Sequence, residues 1–394
     1  MTTLGSGHAS VIRTTPDPLR WLADDGGLLW PVARPFDPAA VDSAAPGIWR
    51  YRAALDVDPD AAALTLGEGG TPLIEARLDG AAVHFKLDFL QPTGSYKDRG
   101  FAALFTVLRH AGVRSVVEDS SGNAGASAAA YGAASGIAVT LCLPADAGGG
   151  VRIAQALAFG ATIDRTAPTR AAAAERARRM ADAGAVYASH VYHPAYLTGQ
   201  QTVAFEIWKQ LGRAPDDVVV PLGHGGLLLG LALGFQALLD GGCIDRRPRL
   251  HGVQAAAQAP IATAFAHGAA RPTLFVGRTD PAAPTIAAGI AITDPPRGAA
   301  VLAAVRRSGG TVRAVDEATI RAGQAALASL GWLVEPTSAV VASTATALAR
   351  SGGPGARVVA VLTGSGLRDG LSHAAVPVDV TPRVAESREH DRKG

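Results

Sequence analysis

Cysteine is scarce in this chain: among 394 residues there are two, Cys142 and Cys243, far apart in sequence and neither in a pair with metal-ligand spacing. A disulfide framework and a zinc ribbon are excluded, and a reducing, cytoplasmic setting is expected. Long apolar runs are also missing. The greasiest stretch, Leu227 to Phe235, is too short to span a bilayer and is interrupted by Gly230 and Gly234, so no membrane association is expected. Residues Met1 to Ser10 lack a basic region followed by an apolar core, which argues against a signal peptide. Charge of one sign is lacking as well. The net charge is +2, and the short basic clusters at Arg178-Arg179, Arg246-Arg247 and Arg306-Arg307 read as solvated faces or helix ends, so no nucleic-acid partner is expected.

What remains is a large apolar content, 48% against 18% charged residues, which excludes wholesale disorder. A chain of 394 residues exceeds what one hydrophobic core usually supports, so two lobes are expected. Short apolar strands alternate with helical patterns from about residue 105 onward, the mark of parallel α/β architecture. The spacing predicts an N-terminal arm over 1–60, a large domain built from 61–104 and 199–376, a small α/β domain over 105–198, and a flexible tail over 377–394. Trp30, Trp49 and Tyr51 read as aromatic anchors that fasten the arm to a neighbouring lobe or subunit.

The segment Gln91 to Gly100 organises the chemistry. Lys97 falls in the first turn of a helix, where the positive end of the dipole raises the cost of a cation and favours the neutral amine that Schiff-base chemistry needs. A surface lysine near a helix start is the plainer alternative. In parallel sheets, ligands gather at the carboxyl ends of strands. Three further loops have that address: Asp119 to Ser127, Pro221 to Leu227, and Leu362 to Asp369. Small residues around Asn123 leave amides open to a carboxylate or ring oxygen. Gly223, His224, Gly225, Gly226 and Leu227 open a helix and let amides approach a phosphate. A hydroxyl at Thr363 can face a ring nitrogen. Each loop alone also reads as an ordinary turn. Jointly they describe an aldehyde-bearing, phosphorylated aromatic cofactor, pyridoxal 5'-phosphate.

On these motifs the chain resembles fold-type II pyridoxal-phosphate enzymes, and threonine synthases most of all. Pro92 to Gly100 is similar to their cofactor-lysine motif, with Tyr96 where Phe is usual. Ser121-Gly122-Asn123, Gly199 to Glu206, and Leu362 to Asp369 resemble their other motifs, as do Ile48 to Tyr51 and Gly69 to Leu73, so the resemblance runs over about 48–370. It implies two parallel-sheet α/β domains with the active site in the cleft between them. Lys97 would carry the cofactor and then move the substrate α-proton, and the cofactor would rest on Asn123, Gly223 to Leu227 and Thr363. Ser120, Ser121, Gly122, Asn123 and Ala124 would take the substrate carboxylate. Leaving-group contacts are expected among His190, His193, Tyr196 and His224.

The sequence departs from the family where threonine synthases hold a substrate phosphate. His190 and Val191 replace an Asn-Ser pair and Tyr196 replaces an arginine, whose fork a tyrosine cannot imitate. Gly225 to Leu228 and Thr285 to Ala291 instead resemble serine and threonine dehydratases. The expected function is a lyase or synthase of threonine-synthase type, acting on a small amino acid with a β- or γ-leaving group and assembled as a homodimer. A serine/threonine dehydratase, a β-replacement synthase and a non-catalytic regulatory paralogue are the alternatives.

Overall fold

The computed structural model describes residues 13–146, 150–272, 285–353 and 355–368. The expected tail over 377–394, the reading of Met1 to Ser10, and Asp369 of the terminal loop lie outside the described residues. Strands run β1 (Leu73–Leu78), β2 (Ala81–Lys86), β3 (Ser115–Glu118), β4 (Ala138–Pro144), β5 (Thr162–Ala167), β6 (Val186–Tyr187), β7 (Asp217–Pro221), β8 (Arg249–Ala255), β9 (Val312–Val315) and β10 (Val358–Val361). They form a six-stranded sheet of order β1-β2-β10-β7-β8-β9 and a four-stranded sheet of order β5-β4-β3-β6. The four-stranded sheet is parallel throughout. The larger one is parallel from β2 to β9, and its β7 and β10 are buried at every position, as strands covered on both faces must be.

The edge strand β1 departs from the parallel pattern. It pairs antiparallel with β2 through a two-residue turn at Asp79-Gly80, where both residues have positive φ, 48° and 81°. An Asp-Gly pair suits such a turn because its twist matches the strands it joins.

The helices are α1 (Lys97–His110), α2 (Asn123–Ser135), α3 (Val151–Ala158), α4 (Arg170–Asp182), α5 (Pro194–Gln200), α6 (Thr202–Leu211), α7 (Gly226–Asp240), α8 (Pro260–Ala266), α9 (Gly298–Ser308), α10 (Glu317–Ser329), α11 (Pro336–Ala339) and α12 (Val341–Ser351). The helix expected to begin at Gly199 begins instead at Pro194 and is broken at Gln201. His193 caps it and Pro194 supplies a pre-set φ at its first position. Among the described residues, no helix is long and apolar enough to cross a membrane.

The N-terminal stretch is anchored rather than free. Trp49 and Tyr51 are buried in the same apolar core as Phe36 and Phe205, whose rings stand 4.5 Å apart, and the Trp49 indole donates to Leu64 O at 2.9 Å. Arg297 is buried, has no carboxylate partner among the described residues, and donates to the carbonyls of Leu29, Val191 and Tyr192, against the ring of Trp30.

One buried charge network ties the lysine segment to the rest. The Arg99 guanidinium donates to Asp88 at 2.8 and 2.9 Å and to Glu206 at 2.7 and 2.8 Å. Lys86 adds a 2.6 Å bond to Glu206, and Gly70 N donates to the same carboxylate at 2.8 Å. Buried charges survive only when paired and hydrogen-bonded, and here two cations meet two carboxylates. Arg99 and Lys86 hold the Glu206 carboxyl well below its usual range, against the opposing effect of burial.

Replacing Glu206 with Gln leaves two buried cations short of a counter-charge and is expected to cost about 3–5 kcal/mol in urea unfolding. Because the folded carboxyl is depressed from its ordinary 4.5, that difference is fully present above about pH 4.5 and shrinks as the pH falls further.

Candidate active site

Lys97 stands at the start of α1, half-buried, with its Nζ 4.8 Å from the Tyr96 ring centroid and 5.9 Å from that of Tyr196. Asp98, next to it, is fully buried and accepts from Thr93 N, Thr93 Oγ1 and Ser127 Oγ at 2.6–2.7 Å, which pins the turn before the helix to α2. The terminal loop closes on the same turn. Tyr96 N donates to Thr363 O at 2.9 Å and Ser365 N to Gly94 O at 3.0 Å.

A cavity of about 260 Å³ opens beside Lys97. It lies where β3, β7 and β10 end, and its wall includes Ser120 to Ala124, Gly223 to Leu227 and Thr363. The three loops singled out in the sequence therefore meet at one place, together with the lysine. Gly225 has φ +89° and caps α7, and a Cβ there would lie 2.3 Å from Val301 Cγ2. The amides of the first turn of α7 have no partner within their own helix and face a favourable dipole end. His224 also lines the cavity, and its Nδ1 is buried without a partner among the described residues. The Thr363 hydroxyl is 3.1 Å from Ser338 Oγ, which also accepts from the amides of Thr363 and Gly364 and fixes the loop.

Two expected contacts lie outside the cavity lining. His193 is spent as a helix cap: its Nδ1 accepts from Ala195 N, its Nε2 lies 3.1 Å from Pro18 O, and burial pushes the imidazole down to about 4. Tyr196 is buried beneath the floor, its ring against Phe101 and filling the space where a Cβ on Gly100 would stand. His190 does line the cavity. Asn123 also reaches it, but its amide is engaged within the protein: Nδ2 donates to Glu335 at 3.0 and 3.1 Å, and Oδ1 accepts from Arg368 at 2.8 Å.

Glu335, Arg152, Arg170 and the stretch Ala288 to Ile292 complete the wall. Arg152 donates to Glu335 at 3.2 Å and Arg170 to Asp119 at 2.7 Å. No local signal singles out the two arginines, because each lies in the first turn of a helix that otherwise looks like a solvated face. Glu335 is legible only as an acid before a helix-opening proline.

These residues fit a phosphorylated pyridine aldehyde: an amine at Lys97, a helix-start amide cradle at Gly223 to Leu227, and a hydroxyl at Thr363, all on one cavity wall. A family model described as "Pyridoxal-phosphate dependent enzyme" matches residues 64–364, and the chain belongs to that family. Its similarity to curated relatives is to threonine synthases. That of Mycobacterium leprae is 37% identical over 353 residues, covering 85% of this chain and 94% of the relative. That of Methanosarcina acetivorans is 33% identical over 333 residues, covering 82% and 80%. Among solved structures, a threonine deaminase from T.th. superposes with a TM-score of 0.62 at 25% identity, over 75% of this chain and 92% of that one. The fold is thus that of fold-type II enzymes, the cofactor is pyridoxal 5'-phosphate, and the activity is that of a lyase of threonine-synthase type.

Replacing Gly225 with Ala forces a side chain into a left-handed backbone and against Val301. A penalty of about 1–2 kcal/mol is expected to appear as a roughly tenfold or greater loss of cofactor affinity in a fluorescence titration with pyridoxal 5'-phosphate.

Proposed function

We propose that Lys97 is both the cofactor-bearing residue and the base for the substrate α-proton, in a lyase acting on a small amino acid with a β- or γ-leaving group. The observation that carries this reading is the convergence of the lysine with three strand-end loops on one cavity. When bound, pyridoxal 5'-phosphate supplies an aldehyde for the amine and a ring that takes up the electron pair left by the departing proton. In this reading the amides of Gly223 to Leu227, with His224, hold its phosphate, Thr363 faces its ring nitrogen, and Asn123 exchanges its bonds to Glu335 for one to the ring oxygen. Thr363 carries no charge, so it leaves the ring nitrogen largely unprotonated, which moderates carbanion stabilisation and favours elimination over transamination. The substrate carboxylate docks on Ser120 to Ala124, at the start of α2. A freed Lys97 amine is then the nearest base to the carbon it has just left.

The same reading divides the chain into a large cofactor-binding domain, 61–104 with 199–376, and a small domain, 105–198, that supplies the substrate loop. It takes the protein as a cytoplasmic homodimer. Free Cys142 and Cys243 suit a reducing compartment, and the exposed apolar side chains of Leu333 and Leu367 are available to a second copy. Sedimentation of the holoprotein at twice the chain mass is expected.

A dehydratase is the second reading. It is supported by the likeness to a threonine deaminase and by Tyr196, which is buried where threonine synthases carry a phosphate-binding arginine. Offering the yellow holoenzyme O-phosphohomoserine, threonine, serine and O-acetylserine, while following phosphate, ammonia and 2-oxo acid, separates the two. Lys97→Ala is expected to lower turnover of the accepted substrate by about a thousandfold or more. Unchanged turnover in that variant would contradict the assignment, and a wild-type spectrum indifferent to every amino acid would favour a regulatory protein.

A further inference from the structure

The geometry points to a proton relay, Glu118 to His190 to the cavity, that makes His190 the acid protonating a departing hydroxyl, so that the substrate is a hydroxy amino acid. This inference rests on the lyase reading and extends it to the leaving group.

Glu118 closes β3 and is fully buried, one residue before the loop Asp119 to Ser127. Its Oε1 lies 2.5 Å from His190 Nδ1, while Oε2 accepts from Ser120 N at 2.5 Å. His190 is itself buried and lines the cavity. With Nδ1 committed to Glu118 and no partner for Nε2 among the described residues, Nε2 is the ring nitrogen left for a substrate. The neighbouring carboxylate, Asp119, is occupied elsewhere by Arg170 at 2.7 Å and the Tyr187 hydroxyl at 2.9 Å. It therefore orients Arg170 on the cavity wall and leaves Glu118 as the group bonded to the imidazole.

The electrostatics agree with this arrangement. The groups around His190 are Glu118 and Asp119 at the end of β3, Lys97 on α1, Arg170 on α4, Tyr196 on α5 and His224 before α7. Burial and the Asp119 carboxylate push Glu118 up to about 8, and burial together with Lys97 pushes the His190 imidazole well below its usual value. At neutral pH Glu118 then keeps its proton and gives it in a hydrogen bond to Nδ1, so the imidazole proton resides on Nε2, facing the cavity.

The step balances without an oxidant or reductant. Lys97 takes the α-proton, the pair left on Cα forms the Cα–Cβ double bond, and the Cβ–O bond breaks with its electrons going to oxygen. That oxygen takes the Nε2 proton and departs as water. The Glu118 proton passes to Nδ1, leaving a carboxylate beside a neutral imidazole, and solvent later restores the lost proton. Phosphate needs no such proton to leave, and the position that would clamp it is the buried Tyr196. A hydroxyl does need one.

The test compares leaving groups of different proton demand. Wild-type holoenzyme is offered L-serine and L-threonine, whose β-hydroxyl must be protonated, and β-chloro-L-alanine, whose chloride need not be. Replacing His190 with Gln is expected to lower the ratio of hydroxyl to chloride turnover by about a hundredfold or more. Glu118→Gln, which keeps a bond to Nδ1 but cannot surrender a proton, is expected to lower the same ratio by a smaller factor. In wild type, hydroxyl turnover falls as the pH rises through about 8, whereas chloride turnover does not. Nitrogen-15 NMR of histidine-labelled holoprotein is expected to show the His190 proton on Nε2 at neutral pH. An equal loss on both kinds of substrate, no loss on the hydroxyl, or a His190 proton on Nδ1 at neutral pH would overturn the relay. Wild-type release from β-chloro-L-alanine alone would contradict the relay and leave the lyase reading standing. Release from none of the three would overturn the hydroxy amino acid assignment, and the lyase reading falls with it only where O-phosphohomoserine and O-acetylserine are inert as well.

Discussion

The structure hangs on the guanidinium of Arg99. It sits two residues after Lys97, is fully buried, and is shared between Asp88 just after β2 and Glu206 on α6. Burying a charge this deeply is tolerable only if every donor finds an acceptor, so the pairing dictates which elements can surround α1. The Gly70 turn, β2, α1 and α6 are all fixed by contact with the same two carboxylates. Lys97 inherits its position from this neighbour, and the charged residues Lys86, Asp88 and Glu206 of the flanking segments are engaged in holding it.

From that anchor the site is assembled by strand ends. Two sheets, parallel but for the β1 edge, deliver their loops to one cavity, and hydrogen bonds between loops keep them there: Tyr96 to Thr363, Ser365 to Gly94, and Arg368 to both Gly94 and Asn123. The two sides of the cavity differ in character. The larger sheet contributes the glycine loop and a neutral threonine. The smaller one, with the helices among its strands, contributes Arg152, Arg170 and His190 to the lining, with Glu118 and Asp119 bonded behind His190 and Arg170.

Much of this was legible in the sequence, for identifiable reasons. The parallel order, the helix opening at Lys97 and the meeting of the four loops follow from strand-end glycines and hydroxyls, whose pattern is local. Features governed by distant partners were not. His193 has the composition of a site residue and the job of a cap, a distinction made by Pro18 and Ala195 rather than by its own neighbourhood. Tyr196, expected from its sequence position to contact a leaving group, is instead held under the floor by Phe101 and Gly100. Glu118 and Glu335 are single acids whose importance appears only when His190 and Asn123 fold onto them. The β1–β2 hairpin has its signal in Asp79-Gly80, but the run before that pair also reads as the end of the preceding glycine-rich turn, and pairing with β2 decides between the two.

The central claim is that the amine of Lys97 meets the aldehyde of the vitamin in this cavity. Borohydride reduction of the yellow holoprotein, followed by proteolysis and mass spectrometry, tests it most directly. The account predicts a pyridoxyl label on the peptide carrying position 97 and on no other lysine. A label elsewhere, or purified protein that takes up no cofactor, would contradict it.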